Sequence, residues 1–353
     1  MNSLRVLYVG WLDAGTTSRS RFDALQRLGH SVTGIDLTSS RMSRVHHFMY
    51  RVSCKLFRMG FNFFGPKDVG GKNAAMVKAL GEGKWDVIWI DKGMIIEAAT
   101  LTEARHLQPE CRIVGYSPDD MYARHNQSRP FLQSLPLYDV FFTTKSFGVS
   151  ELKRMGARNV CFVQNAYDSS LHRPIALSSS DRRDLGAPVG FIGAAEDSRG
   201  RSVAFLADNG VGVKVWGNLW REYRDKTNGK YDVGGPSQYS EDYVRIICAF
   251  DINLAFLRKI NRDLQTTRSV EIPACGAFML AERTDEHETL FEEGKEAEYF
   301  DSDEELLDKV RYYLSHEDER KRIAAAGRDR CIRSGYSNEA RLTKMLETVM
   351  KGL

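Results

Sequence analysis

Short runs of β-branched and aromatic residues alternate along the chain with segments of helical spacing. LRVLYVGW, VTGID, DVIWID, RIVGYS, DVFFTT and NVCFV are read as strands, with helices at 17–28, 97–107 and 146–155 between some of them. Apolar strands separated by helices predict a parallel sheet covered on both faces. The rhythm breaks at 173–187, where Pro, Ser and charge replace apolar periodicity, and this stretch is read as a linker. A second series then runs through VGFIG, helix 199–209, VKVWG, YDVGG, helix 240–250, DINLAF, helix 267–275, AFMLAE, AEYF and helices at 303–315 and 318–334. The expected fold class is α/β, with two Rossmann-like halves, 1–172 and 188–336, facing each other across a cleft, followed by a terminal segment, 337–353. In such folds ligands sit in the crevice beyond the carboxyl ends of the strands, so functional residues are sought just after strands.

Composition narrows the class. The 353 residues are 42% hydrophobic and 27% charged, as in globular proteins, and no apolar run reaches the ~18 to 20 residues of a membrane span. The strand pattern begins at once, without a secretory signal, so the expected location is cytoplasmic. Six cysteines are scattered with no Cys-x-x-Cys pair, which points to reduced thiols and to no metal site. A net charge of +3 gives no reason to expect nucleic acid as a partner.

Candidate chemistry gathers in the second half. After VGFIG comes AAEDSRGRS, in which Gly193 permits a tight turn and Arg199 and Arg201 open the next helix, an arrangement suited to a phosphate. Solvated helix arginines would read the same way. After DINLAF the chain carries Arg262, Asp263, Arg268 and Glu271, with Thr266 or Thr267 as a helix cap. Glu271 would lie in the first helical turn, where a carboxylate can accept from both hydroxyls of a ribose, although acids favour helix starts for their own sake.

The stretches RSVEIPACGAFMLAE, LFEEGKEAEYFDSDEELLDKVRYYL and RIAAAGRDRCIRSGYS resemble the C-terminal half of GT-B-fold glycosyltransferases, in the branch called CgeB-like after a spore-coat maturation protein. YSPDDM, LYDVFFTTKS, ELKRMGARNV and NAYDSSLHRP extend the resemblance over nearly the whole chain. It implies a nucleotide-sugar donor, a glycan or lipid-linked acceptor, no cofactor and no required metal. It also implies an acceptor domain at 1–172, a donor domain at 188–336, and a terminal helix that crosses back onto the N-terminal half. In the larger retaining family, two glutamates with seven residues between them hold the donor, the second at the ribose and the first near the sugar. Glu271 matches the second, and Asp263, one methylene shorter, stands at the first. Arg199, with Arg262 or Arg268, would neutralise the diphosphate.

In the first half, the loop GWLDAGTTSRS lacks the full dinucleotide fingerprint, so hydride chemistry is poorly supported. The resemblance places this loop, with Asp13 and Thr16, toward the acceptor and the donor phosphate. YSPDDMYARHN makes Asp119 and Asp120 candidates for a general base or acceptor clamp, and His125 a candidate sugar contact, while a helix cap explains Asp119 equally well. DSDEE at 301–305 is read as a helix cap rather than a metal motif. Residues 41–64 mix basic and aromatic side chains and are a candidate for peripheral contact at the inner face of a membrane, or an ordinary packed helix. The resulting expectation is a metal-independent hexosyltransferase of surface polysaccharide or glycoconjugate synthesis, with a GT-B sugar-nucleotide epimerase and a non-catalytic scaffold as rivals.

Overall fold

The computed structural model describes residues 2–38, 44–60 and 65–351. The chain divides into two compact units, Met1–Gln164 with Asn338–Leu353, and Asn165–Ser337.

Unit 1 contains β1 (Arg5–Gly10), α1 (Thr17–Arg27), β2 (Ser31–Asp36), α2 (Arg44–Arg58), α3 (Lys72–Glu82), β3 (Val87–Asp91), α4 (Ala98–Leu107), β4 (Arg112–Ser117), α5 (Arg129–Ser134), β5 (Val140–Thr143), α6 (Gly148–Arg154) and β6 (Val160–Phe162). The strands form one parallel sheet in the order β2-β1-β3-β4-β5-β6. Their near-continuous apolar sequences follow from burial on both faces. Leu7, Val9, Ile88, Ile90 and Ile113 point to one core, and Val6, Tyr8, Val87, Trp89 and Val114 to the other.

Unit 2 contains α7 (Ser179–Leu185), β7 (Val189–Ile192), α8 (Asp197–Asp208), β8 (Val213–Trp216), α9 (Trp220–Thr227), β9 (Asp232–Gly235), α10 (Ser240–Ala249), β10 (Ile252–Ala255), α11 (Arg268–Ala274), β11 (Met279–Glu282), α12 (Asp285–Leu290), β12 (Glu298–Phe300), α13 (Asp303–Ser315) and α14 (Glu317–Arg333). Its parallel sheet has the order β12-β11-β10-β7-β8-β9. The chain then returns to unit 1 as α15 (Asn338–Lys351), whose Leu342, Met345, Leu346 and Val349 join the core of Val6, Tyr8 and Trp89. Arg27 of α1 pairs with Glu339 at 2.6 Å beside this seam.

The expected linker needs correction. The division falls between Gln164 and Asn165, and 173–187 lies wholly inside unit 2. Its Ser and charge are the solvated face of α7, opened by a Ser178–Asp181 capping box and tied to α10 by Arg245 on Asp181. Leu185 and Ala187 pack on the unit's core.

Each sheet changes winding direction once, between β1 and β3 in unit 1 and between β7 and β10 in unit 2. These switch points open a crevice at the strands' carboxyl ends. Among the described residues no helix is long and apolar enough to cross a membrane, and no group of His, Cys, Asp and Glu is arranged to hold a metal.

Candidate functional site

At the unit 2 switch point, β7 ends in a turn that only glycines allow. The Gly193 N–H donates to Trp216 O (2.8 Å), and a Cβ on Gly217, at φ 142°, would stand 2.1 Å from Gly193 O. Trp220 Nε1 donates to the same oxygen at 2.7 Å. The chain leaves this clamp into α8, whose N-cap residue Glu196 makes no side-chain cap bond. Among the described residues the first N–H groups of α8 therefore lack an N-cap side-chain partner, at the position expected of an anion seat.

Arg199, in the first turn of α8, is only 2% exposed. Its Nη1 donates back to Ala194 O (3.1 Å) and lies 3.4 Å from Glu196 Oε1. Its Nε and Nη2 are buried with no hydrogen-bond partner among the described residues, and so is Nε of Arg268. Both guanidinium carbons stand 5.5 Å from the Phe191 ring centroid, so two cations share one aromatic support. Burial and the charge of Arg268 push Arg199 down to about 10, against the smaller opposing effect of Glu196. A buried and a half-buried cation on one aromatic ring, both with unused buried donors, suit a doubly charged anion.

Arg268 and Glu271 lie three apart on α11, on neighbouring positions of one face. Thr267 is the N-cap residue, but its side chain makes no cap bond, so the expected threonine cap is not formed. The start of α11 is fastened instead by Ser269, whose Oγ accepts from Thr266 N (3.0 Å) and donates to Nε2 of buried His287 (2.7 Å). His287 Nδ1 donates to Glu282 O at 2.7 Å, and burial holds the ring below its ordinary value and neutral, which fixes this tautomer. Glu271 is 8% exposed. Its Oε2 accepts from the Tyr243 hydroxyl (2.7 Å), and its Oε1 lies 3.8 Å from His172 Nε2. His172 Nδ1 accepts from the Asp168 N–H, so in the neutral ring Nε2 carries the proton that faces the carboxylate. Burial and the neighbouring Glu271 push the Tyr243 hydroxyl far above its ordinary value, so it remains a donor.

The other sequence candidates are distributed differently. Asp263 closes its own loop, with Oδ1 accepting from Asn261 Nδ2 (2.7 Å) and Oδ2 from Arg258 N (3.3 Å), and its carboxylate acts on Arg199 electrostatically. Arg262 is exposed at φ 47°, unlike the buried Arg199. Arg201 is also apart from it. Two residues beyond Arg199, it turns outward and lines a cavity of about 450 Å³ with Lys259, Glu282, Arg283, Phe300 and Asp303. Carboxylates already engage both other cations in that cavity, Glu282 holding Lys259 and Glu293 and Asp301 holding Arg283. In unit 1, Asp119 pairs with Lys92 just past β3. Asp120 is 1% exposed, and its Oδ1 accepts from Tyr122 N and Ala123 N, holding its own turn. His125 lies in a single 3₁₀ turn after that loop. Thr16 is the N-cap of α1, accepting from Arg19 N and donating to Trp11 O and Asp13 O, while Asp13 is exposed in the same loop. Ser302 caps α13 through Glu305 N, which accounts for DSDEE.

Phe191, Glu196, His172 and Tyr243 were not legible as site residues. An aromatic residue inside a strand and a tyrosine on an amphipathic helix carry no local signal of what they support. His172, which shares NAYDSSLHRP with a buried Asp168, carried the nearest thing to one.

Residues 199–347 match the model of a family described as glycosyl transferase-like. Comparison of the sequence with curated proteins returns no match. Among solved structures, the chain is similar to Anabaena HepE in complex with UDP and glucose, at 13% identity and a TM-score of 0.61 over 98% of this chain and 100% of that one. It is similar to sucrose-phosphate synthase from Thermosynechococcus elongatus, at 12% identity and a TM-score of 0.63 over 98% of each chain. A putative UDP-N-acetylglucosamine 2-epimerase from Listeria monocytogenes is matched at 10% identity and a TM-score of 0.55, over 98% of this chain and 95% of that one. The fold, with two six-stranded parallel sheets, is that of the GT-B glycosyltransferases.

Proposed function

We propose that the protein is a glycosyltransferase that moves a hexosyl group from a nucleotide-sugar donor to an acceptor hydroxyl, in a branch similar to the CgeB-like enzymes. The observation that carries this reading is the pair Arg199, buried, and Arg268, half-buried, both at the Phe191 ring and both with a buried N–H unpaired among the described residues, beside the uncapped start of α8. A donor's diphosphate has the charge and the oxygens to fill these donors. As the glycosidic bond breaks, negative charge grows on that leaving group, and fixed donors stabilise it without reorganising. Glu271, steadied by Tyr243 and facing His172, is left to receive the ribose hydroxyls. The guanidiniums take the part that a divalent cation plays elsewhere, so turnover is expected to survive chelation. HepE, caught with UDP and glucose, supports the same donor class. We place the acceptor side in unit 1, where Asp119 beside Lys92 and the neighbouring Asp120 are the candidate bases.

The test is a panel of nucleoside diphosphates and their sugars scored by thermal shift and then by transfer. A ligand at ~100 times its dissociation constant adds about 2.7 kcal/mol to stability. The proposal requires that a nucleoside diphosphate stabilise the protein and the bare nucleoside not. The similarity to the Listeria protein favours a second reading, sugar-nucleotide epimerisation. Release of nucleotide only when an acceptor is present supports transfer, and conversion of the sugar nucleotide without an acceptor supports epimerisation.

A further inference from the structure

Helix α2 carries Arg44, Arg51, Lys55 and Arg58 and no acidic residue. Among the described residues it is fastened to unit 1 through the side that carries Phe57 and Ser53. Phe57 is 3% exposed under the guanidinium of Arg124 at 4.6 Å, and Ser53 exchanges hydrogen bonds with the backbone of Gly65. At ~100° per residue, Phe48 falls about 180° from Phe57, with Val52 about 40° to one side of it and Lys55 about 20° to the other. The outward face is accordingly apolar: Phe48 is 68% exposed, Met49 62% and Val52 42%, and Met59 just beyond the helix is 65% exposed. Arg51 and Lys55 flank it in solvent. Of the basic and aromatic stretch 41–64, residues 41–43 and 61–64 lie outside the described residues, and nothing here depends on them.

We propose that α2 docks the protein on an anionic lipid bilayer, with Phe48, Met49, Val52 and Met59 entering the interface and Arg51 and Lys55 meeting lipid phosphates. A helix with one apolar strip, a basic flank and no acid is built for that boundary. Charge selects this occupant over a second copy of the chain. A two-fold contact through the same face would set an all-basic helix against an all-basic helix, and that repels. An anionic surface supplies the missing counter-charge. This assignment stands on α2 alone and does not depend on the donor site.

The experiment is co-sedimentation of the full chain with vesicles of phosphatidylcholine, with and without phosphatidylglycerol, at low and high salt. Binding is expected only with phosphatidylglycerol, weakening as salt screens the charges. Arg51→Gln with Lys55→Gln should weaken it by roughly 25-fold, about fivefold per charge. Phe48→Ser with Met49→Ser should weaken it by roughly tenfold or more even at low salt, because apolar burial is lost. Far-UV circular dichroism and the thermal midpoint serve as the folding control for both double variants. Equal binding to both vesicle types, or none to either, overturns the proposal. So does a concentration-dependent dimer in lipid-free size-exclusion that Phe48→Ser abolishes, which would assign the face to a second copy.

Discussion

Each unit buries an arginine near the start of the helix that follows its first strand, Arg21 on α1 at 5% exposure and Arg199 on α8 at 2%. Their surroundings are opposite. Arg21 places Nε 2.8 Å and Nη2 2.7 Å from Asp91 Oδ2, at the end of β3, and lies over Tyr116 at 4.3 Å. Tyr8 also donates to that carboxylate, at 2.8 Å. Burial disfavours the charge of Arg21, yet Asp91 and the tyrosines hold it well above its ordinary value. Arg199 meets another arginine instead of a carboxylate of its own, shares Glu196 with Arg258, and is pushed down. A buried charge with its counter-ion in place belongs to the architecture, and one without it is waiting for a ligand.

This comparison breaks if the two arginines respond alike to removal. Arg21→Met should have the largest effect, because it leaves Asp91 buried without its cation; a loss of about 3 to 5 kcal/mol is expected in chemical denaturation of the apo protein. Arg199→Met should leave apo stability unchanged or raise it by about 1 to 3 kcal/mol, since an uncompensated charge is removed from the interior. Its cost appears in binding. Two charge-assisted donors are lost, so affinity for a nucleoside diphosphate should fall by roughly 100-fold or more while affinity for the bare nucleoside is little changed. Should Arg199→Met unfold the protein as Arg21→Met does, its place in the site is refuted.

The same contrast separates what the sequence shows from what it hides. Continuous apolar strands with helices between them reveal two parallel α/β halves, because burial on both faces leaves a local trace. The positions of the turn at Gly193 and of Arg199 at the start of a helix were readable for the same reason: each follows a strand. The boundary was not, because a solvated helix such as α7 has the composition of a linker. Nor was the backbone bonding of Asp120, because an acid that caps its own turn and an acid that meets a substrate look alike in one dimension. Pairings such as Arg21 with Asp91, 70 residues apart, leave no mark on either neighbourhood.

A smaller effect is expected at Glu271, which lies between the two cases because protein donors use only part of its carboxylate. Glu271→Gln keeps an acceptor for Tyr243 and loses the charge, so nucleotide affinity should fall by about tenfold, near 1.4 kcal/mol, with little change in the apo midpoint. Glu271→Ala is a poorer probe, because the Tyr243 hydroxyl is then buried without a partner and folding itself loses about 1 to 3 kcal/mol. Tyr243→Phe removes the donor that steadies the carboxylate and should weaken nucleotide binding by less than Glu271→Gln does. Isothermal titration of the three variants checks the order, and a Tyr243→Phe loss exceeding that of Glu271→Gln would make the tyrosine, not the glutamate, the ligand contact.

The smallest change sharpens the comparison most. Glu196 is the only carboxylate within ion-pair reach of Arg199 among the described residues, at 3.4 Å, and it also holds Arg258 at 3.0 Å. It stands where an arriving diphosphate would compete for the same cations. Glu196→Gln should therefore move stability and affinity in opposite directions. The apo protein loses the partial compensation of a buried cation, but Glu196 is a quarter exposed and water screens the pair, so the loss should stay under about 1 kcal/mol. The diphosphate meets less competing negative charge, and its affinity should rise by about threefold. The equivalent change in unit 1, Asp91→Asn, has no such compensation, because no ligand takes the place of its carboxylate. It should only destabilise. A Glu196→Gln variant that binds the diphosphate more weakly than the parent would mean that Glu196 organises the arginines rather than standing in for the anion, and the seat would then be a preformed ion-pair network instead of a vacancy for charge.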